Sequence, residues 1–327
     1  MKSTKHLLDR ELQVMAEAPI ISEITDENLA VVRQTLHDLR PSLANAESYD
    51  VKRAEVFVSL DSGPDVRCLL YTPNHKEDSL KSGYVHIHGG GYIIGSPEGS
   101  DLQNLLLASE LGVVIISVDY RLAPEWPIPA PLDDCYTALG WLHENSETLG
   151  IDRERIGIGG ESAGGGLAAA LAIKARDEGI YKVCWQSLTY PMLDDRTGTD
   201  EFPGDPLVGE FVWTREFNQY AWNCYLADAD RVAPQVPGRL EDFNGLPPTW
   251  MFTASLDLFR DENIDSMILK LERLYNVIIT NDNKKLSDNF FNATIVVEEE
   301  SIDEVMGYLK EVYNIKYQKF NNKIIIK

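Results

Sequence analysis

The chain has 327 residues, with 52 acidic and 30 basic side chains and a formal net charge of −22 at pH 7. A chain of this length can bury a large core, and a hydrophobic content of 44% excludes a largely disordered protein. The negative charge repels phosphate backbones and anionic membrane surfaces, so we expect no nucleic-acid partner.

The N-terminus and the cysteines indicate the compartment. The first residues, MKSTKHLLDRELQ, are charged throughout and lack the apolar stretch of an export signal. The longest apolar runs, such as LGVVIISV, are too short to cross a bilayer. The four cysteines lie far apart, without CxxC spacing or neighbouring histidines, which predicts free thiols. We therefore expect a cytoplasmic protein with no membrane span, no metal and no cofactor.

Short apolar runs alternate with helical segments up to residue 263. Helices are expected around 101–111, 131–144 and 163–177, and the later units have β-α-β order, which predicts a mostly parallel sheet covered on both faces. Residues 1–45 and about 196–235 fit no strand pattern and are expected to form a helical lid. The predicted strands are AEVFVSL, VRCLLYT, GYVHIHG, VVIISVDY, RIGIGG, WQSLTYP and TWMFTA.

Ser162 lies in a G-x-S-x-G turn, Gly160 to Gly164, between the strand RIGIGG and the helix SAGGGLAAALAIKA. Glycines permit the tight backbone that lifts a serine hydroxyl clear of a sheet, and a helix N-terminus directs amides at a developing oxyanion. A phosphate-binding loop is the alternative, but the turn has no lysine and lacks P-loop spacing. Ser162 is therefore the candidate nucleophile.

The segment HGGGY, residues 88–92, ends a strand upstream of this turn. Successive glycines expose backbone N–H groups, which are the hydrogen-bond donors of an oxyanion hole. On its own the segment is only a loop. Together with the serine turn it predicts an oxyanion hole, which the amide of Ala163 completes.

These motifs resemble the hormone-sensitive-lipase family of α/β-hydrolases. HGGGY, VDYRLAPEWPIPAPLDD, GESAGGGLA, YPMLDDRT, GLPPTWM and SLDLFRDE follow one another in the family's order over residues 1–263. The resemblance implies an α/β-hydrolase fold with a mostly parallel eight-stranded sheet and a helical lid. It implies a carboxylic-ester hydrolase for small short-acyl substrates, with Ser162 as nucleophile and Asp257 as the triad acid. By the same resemblance, Gly89, Gly90 and Ala163 supply the oxyanion hole. Tyr92, Trp213 and Trp222 are the expected pocket residues.

The histidine of the triad is missing. In the family it follows the acid by roughly thirty residues, near Ser287, where this chain has NDNKKLSDNFF. The six histidines are His6, His37, His75, His86, His88 and His143, and none follows Asp257. His88 lies beside the oxyanion loop but is expected to shape that loop, and His143 is expected on a helix surface. Loss of the base costs on the order of a millionfold in turnover.

Composition changes at residue 264. All sixteen prolines, all six tryptophans and twenty-two of twenty-three glycines precede it. The tail contains an internal repeat: the segment IDSMILKLERLYNV, from Ile264, is similar to IDEVMGYLKEVYNI, from Ile302. Both segments have apolar residues at helical spacing. With the strands VIIT, IKYQKF and KIIIK, residues 264–327 are predicted to form a small α+β domain containing an internal helix-strand repeat. The first helix and VIIT are also placed to supply the hydrolase sheet with its last strand.

This tail resembles the C-terminal domain of FecR-type anti-sigma regulators. The matching stretches are LERLYNV, FFNATIVVEEESIDEVMGYLKEVYNI and NNKIIIK. The resemblance implies protein-protein contact without chemistry, so a protein partner is expected for residues 264–327.

Three functions stay open at this point. The chain is an esterase scaffold that lacks its base, a pseudo-enzyme that binds a small ligand without turnover, or a fusion whose tail sets its role. The sequence does not decide whether the 263/264 junction is natural or engineered.

Overall fold

The seven strands predicted before residue 264 are all present in the structure, a computed structural model that describes residues 3–13, 16, 21–40, 42–59, 64–74, 79–254, 256–263, 278–281, 301–303, 306–307, 316–320 and 323–326. Apolar runs such as VIISV, which is buried along its whole length, form the centre of the sheet. The strands are β1 (Val51–Val58), β2 (Val66–Pro73), β3 (Lys81–Ile87), β4 (Val114–Val118), β5 (Ile151–Glu161), β6 (Gln186–Thr189) and β7 (Thr249–Phe252).

The seven strands form one sheet in the order β1-β2-β4-β3-β5-β6-β7. β2 pairs antiparallel with both β1 and β4. The pairs from β4 to β7 are all parallel. Parallel strands end at the same edge of a sheet, so the segments that follow β3, β5, β6 and β7 meet there.

Helices cover both faces of this sheet. One core cluster contains Leu139, Ile158 and Leu171, which bury α3 (Ala130–Glu144) and α5 (Ala163–Glu178) against one face. A smaller cluster contains Tyr71 and Leu105, and packs α2 (Asp101–Leu111) against the other face. The helices are α1 (Leu29–Asp38), α2 (Asp101–Leu111), α3 (Ala130–Glu144), α4 (Ser146–Leu149), α5 (Ala163–Glu178) and α6 (Arg215–Leu226).

Two of these helices come from the segments predicted to form the lid. α1 lies in residues 1–45, and α6 lies in residues 196–235. Tyr220 of α6 donates a 2.8 Å hydrogen bond to Asp26, which precedes α1, so the two segments contact each other. The side chain of Thr214 caps α6 by accepting from the N–H of Phe217.

The tail forms a separate three-stranded sheet in the described residues. β10 (Lys323–Ile326) pairs parallel with β8 (Ile278–Asn281) and antiparallel with β9 (Tyr317–Phe320). Residues 302–303 and 306–307 are helical, as the second repeat predicts. The first repeat helix lies outside the described residues.

The prediction that VIIT supplies the eighth strand of the hydrolase sheet was wrong. The described sheet has seven strands, and β8, which was placed to complete it, pairs with β10 instead. An apolar run of four residues identifies a strand but carries no information about its partner, so this pairing was not readable from the sequence. In the part of the chain that the structure describes, no helix has the length and apolarity needed to cross a membrane.

Candidate active site

Ser162 forms the turn between β5 and α5. Its backbone has φ 55° and ψ −119°, a region that residues other than glycine rarely occupy. Its N–H donates to the carbonyl of Thr189 at 2.9 Å, and its own carbonyl accepts from the N–H groups of Gly166 and Met192 at 3.0 Å. This strained strand-to-helix turn is the backbone of a nucleophile elbow.

The glycines around Ser162 are required by close packing. A Cβ atom at Gly160 would overlap the carbonyl oxygen of Ile87 at the end of β3. A Cβ atom at Gly165 would lie 2.9 Å from Cβ of Pro191. The G-x-S-x-G spacing therefore reflects the approach of the elbow to neighbouring backbone as well as its tight turn.

The oxyanion loop, residues 88–95, follows β3 and contacts the elbow. A Cβ atom at Gly89 would lie 2.9 Å from the carbonyl oxygen of Glu161 and 3.4 Å from Cβ of Ser162. Gly90, Gly91 and Tyr92 have φ values of 121°, 58° and 65° in succession. The N–H groups of Ile93 and Ile94 close this turn by donating to the carbonyl of Gly90.

The N–H groups predicted to bind an oxyanion are available. Within the part of the chain that the structure describes, the backbone N–H groups of Gly89, Gly90 and Ala163 donate to no protein acceptor. Ala163 is the first residue of α5, where a helix has no internal acceptor for its N–H groups. Of the three residues, Ala163 directly follows Ser162, and Gly89 packs against the Ser162 side chain.

His88 is a neutral, buried histidine that shapes the oxyanion loop. Its Nδ1–H donates to the carbonyl of Gly89 at 2.8 Å, and its ring stacks on Tyr120 with centroids 4.2 Å apart. Burial lowers the pKa of His88 to about 4. Its Nε2 atom has no hydrogen-bond partner among the described residues.

His86 binds the carboxylate that precedes the serine. Its Nε2–H donates to Glu161 at 3.2 Å, and its Nδ1 accepts from the hydroxyl of Ser117 at 2.8 Å. Gln103 also donates to Glu161, at 3.0 Å. Although burial raises the pKa of Glu161, the electrostatic interaction and hydrogen bond with His86 and the hydrogen bond from Gln103 oppose it, so the net pKa is lowered. Both nitrogens of His86 are thus engaged away from the serine hydroxyl.

The remaining described histidines bond elsewhere. His143 donates through Nε2 to the carbonyl of Lys182 at 2.9 Å and is 8% exposed, so its expected position on a helix surface was wrong. His6 contacts the carbonyl of Ser3, and His37 contacts Asp38. His75 lies outside the described residues. No hydrogen bond joins the hydroxyl of Ser162 to a residue that the structure describes.

Asp257 follows β7, at the edge of the sheet where the parallel strands end. Its Oδ1 accepts from the N–H of Phe259 at 2.8 Å. Burial raises the pKa of Asp257 to about 6, and that hydrogen bond opposes the rise. Burial, and then the negative charges of Glu161 and Asp257, raise the pKa of Tyr190, which directly follows β6. No imidazole binds the Asp257 carboxyl in the described residues.

The three expected pocket residues lie in two different environments. Tyr92 and Trp222 are each 1% exposed and pack edge to face with centroids 5.3 Å apart, so they support the loop from the core and offer no open surface. Trp213 is half-buried and packs over Gly91, where a Cβ atom would overlap its ring. Its Nε1–H donates to Asn218 at 3.2 Å.

Two residues of this region were given no role by the sequence. Glu262 accepts from the N–H groups of Leu193 and Asp194 and from the hydroxyl of Thr197, and its burial raises its pKa well above the ordinary value. It stands in the SLDLFRDE motif, which is the only signal that singled it out. Arg33 of α1 contacts the oxyanion loop, and its residue type alone gives no indication of that contact.

Comparison with known families identifies the fold. The profile of a family described as the alpha/beta hydrolase fold matches residues 84–270. The chain belongs to this family, in its hormone-sensitive-lipase-like branch of carboxylesterases. A second profile, that of the FecR C-terminal region, matches residues 258–326 and overlaps the first by thirteen residues.

Individual relatives of this α/β hydrolase are esterases. Esterase LipI of Mycobacterium tuberculosis is 30% identical over 258 residues, which cover 77% of this chain and 78% of the relative. An ethyl acetate hydrolase of Pseudomonas putida is 32% identical over 201 residues, covering 60% and 62%. The solved structure of a bacterial heroin esterase has 32% identity and a TM-score of 0.73, and the match covers 95% of this chain and 98% of that one.

Proposed function

We propose that this α/β hydrolase binds short-acyl carboxylic esters at Ser162 and hydrolyses them far more slowly than a complete Ser-His-Asp enzyme. In this proposal the hydroxyl oxygen of Ser162 adds to the ester carbonyl while its proton passes to water, and the N–H groups of Gly89, Gly90 and Ala163 bind the oxyanion. The bond to the alkoxy oxygen then breaks, so that the protonated alcohol leaves and an acyl-serine remains. Water hydrolyses the acyl-serine, which releases the acid and restores the hydroxyl. One observation carries it: the elbow and its free N–H groups are present, and the 327 residues contain no histidine after His143.

The missing base determines the rate. A serine hydroxyl without an imidazole must lose its proton to water, and loss of the histidine costs on the order of a millionfold. The oxyanion hole and substrate binding keep about a thousandfold over the uncatalysed reaction. The proposed activity is therefore small but depends on Ser162. Asp257 is proposed to occupy the position of the acid that, in relatives with a complete triad, orients the histidine.

The short-acyl preference rests on the lid. Trp213 of the lid segment packs directly over Gly91 of the oxyanion loop, which limits the space for an acyl chain next to that loop. The Pseudomonas putida relative, whose name gives ethyl acetate as its substrate, supports the same class.

The decisive experiment measures hydrolysis of p-nitrophenyl acetate and butyrate. We expect trace turnover in the wild-type chain, none above background in Ser162→Ala, and a large gain when residues 283–291 are replaced by the histidine loop of a related esterase. Turnover in the wild-type chain at the rate of a complete esterase would show that a base reaches Ser162 and would overturn the proposal.

A second candidate is a receptor-like role in which the same pocket binds a small acid or ester without turnover. The free N–H groups of Gly89, Gly90 and Ala163 favour it, because they bind a carboxylate as well as an oxyanion. Calorimetric titration with acetate and butyrate separates the two roles. Saturable binding with no Ser162-dependent product favours the receptor, and product release favours the slow esterase.

The match to the FecR C-terminal region supports a different role for residues 264–327. We propose that they form a protein-interaction module attached to the hydrolase. Capture of a defined protein by the whole chain that is lost when residues 264–327 are removed would support this role. Unchanged capture by residues 1–263 would contradict it.

A further inference from the structure

Arg33, on the lid helix α1, binds three separate points of the chain through one guanidinium group. Its Nε–H donates to the carbonyl of Ile93 at 2.8 Å, and an Nη2–H donates to the carbonyl of Ala123 at 2.7 Å. The two Nη atoms also donate to the carboxylate of Glu125, at 2.7 and 2.9 Å. A planar guanidinium with five donors can make all these bonds together, and a lysine ammonium cannot.

Ile93 belongs to the part of the oxyanion loop that holds the carbonyl of Gly90, which lies in the peptide that follows the Gly90 N–H. The N–H of Ile93 donates to the carbonyl of Gly90 at 3.1 Å, while its own carbonyl is held by Arg33. The N–H of Ala123 donates to the carbonyl of Tyr92 at 3.0 Å. This bond joins the oxyanion loop to the segment after β4. Arg33 joins the same two segments again, because it binds Ile93 in the loop and Ala123 in that segment.

The oxyanion loop needs such support because its backbone is strained. Gly90, Gly91 and Tyr92 all have positive φ, and Tyr92 is not a glycine. Unusual backbone conformations of this kind persist only where surrounding bonds hold them. The two carbonyl bonds of Arg33 come from the lid, so the lid and the loop are linked by a contact that is three-quarters buried on the arginine side.

We propose that Arg33 is a positioning residue that holds the oxyanion loop by binding the carbonyls of Ile93 and Ala123, and that the N–H groups of Gly89 and Gly90 keep their positions because the loop is held. The bonds to the two carbonyls carry this role. The ion pair with Glu125 contributes little, because the Glu125 side chain is 55% exposed. This inference rests on the proposed use of those N–H groups to bind an oxyanion or carboxylate.

The test is hydrogen exchange of the Ile93 and Ile94 amides in the whole chain, with the Gly112 amide at the end of α2 as a remote reference. Arg33→Lys and Arg33→Ala should speed exchange at Ile93 and Ile94 by about tenfold and leave Gly112 unchanged. Glu125→Gln should change it by less than threefold. Gln34→Ala is the matched control, because Gln34 is exposed on the same helix and, among the described residues, its side chain bonds only to Asp38.

A second measurement separates this inference from the proposed function. Butyrate binding should weaken by about tenfold in Arg33→Lys and stay unchanged in Gln34→Ala. If wild type binds no butyrate and releases no product from esters, the proposed function fails while the exchange result still stands. If Arg33→Lys exchanges at Ile93 and Ile94 as wild type does, or if Glu125→Gln has the same effect as Arg33→Ala, the positioning role is overturned.

Discussion

Gly164 of helix α5 packs against the end of strand β3, where a Cβ atom would overlap the carbonyl oxygen of Ile87 and lie 2.5 Å from that of His88. Both obstacles are backbone atoms, which cannot turn aside as a flexible side chain does. The contact fixes the distance between the elbow and the oxyanion loop, because β3 leads directly into that loop.

Gly164→Ala should therefore destabilise the chain by about 3 kcal/mol, since the added methyl forces the helix and the strand apart. Gly99→Ala is the control, because a Cβ atom there meets nothing within 4 Å, and it should change stability by less than about 0.5 kcal/mol. Urea unfolding of both variants measures the difference. Equal midpoints would show that the elbow tolerates a wider gap.

Much of this architecture was readable from the sequence. The seven strands before residue 264, the elbow at Ser162 and the glycine loop were predicted, because apolar runs and glycine spacing report local backbone requirements. The pairing partner of β8 was not readable, since the short run VIIT, most of which lies in β8, fits either sheet. The contact of Arg33 with Ile93 joins residues sixty positions apart, and nothing local records it. Tyr92 and Trp222 were expected in the pocket because aromatic composition does not distinguish a lining side chain from a supporting one.

Asp257→Asn should stabilise the chain at neutral pH. Burial raises the folded-state pKa of Asp257 to about 6, above the unfolded value near 4, so the folded state binds the extra proton between these pH values. Stability from this group is therefore present at low pH and is lost as pH rises through 6. Asparagine keeps the acceptor for the N–H of Phe259 and carries no charge.

Thermal unfolding at pH 4 and pH 8 tests this sign. The variant should gain about 2 kcal/mol over wild type at pH 8 and close to nothing at pH 4. Glu262, whose pKa is also raised, is present in both proteins and cancels in the comparison. A gain of the same size at both pH values would mean that desolvation of the Asp257 carboxylate is not the cause.

Added imidazole should partly restore the missing base. A free imidazole that reaches Ser162 can accept its proton, and general-base catalysis contributes on the order of a hundredfold or more when the base is well placed. An untethered base is less well placed, so we expect about a tenfold gain in Ser162-dependent hydrolysis of p-nitrophenyl butyrate. Ser162→Ala measures and removes the direct reaction of imidazole with the ester.

Asp257→Ala provides the second control for imidazole. If Asp257 orients the added base, the ratio of the rate with imidazole to the rate without it should fall in this variant. A gain of equal size in wild type and Ser162→Ala would mean that imidazole attacks the ester in solution and that the serine has no part in it.

Trp213→Ala should widen the acyl site. The indole packs over Gly91, so its removal opens space beside the oxyanion loop, and each methylene accommodated there is worth roughly tenfold or less. We expect binding of octanoate relative to acetate to rise by about tenfold. Trp126→Ala is the control, because Trp126 is 52% exposed beneath Arg121 and away from Gly91. Equal chain-length profiles in both variants would remove Trp213 from the pocket.

The end of the hydrolase domain should fall after residue 263, although the FecR profile begins at residue 258. Leu258 and Phe259 are 2% and 1% exposed in the main core, and Glu262 holds the loop that contains Leu193. Removing these side chains costs about 4 kcal/mol, a large part of the stability of an ordinary domain.

A fragment of residues 1–263 should therefore be more soluble and unfold at a higher temperature than a fragment of residues 1–257. Residues 264–327 should show β-sheet circular dichroism alone, because β8, β9 and β10 pair only with one another in the described residues. If 1–257 matches 1–263, the buried contacts of Leu258, Phe259 and Glu262 do not hold the hydrolase core. If 264–327 has no structure alone, the tail depends on the hydrolase and the two are one folding unit.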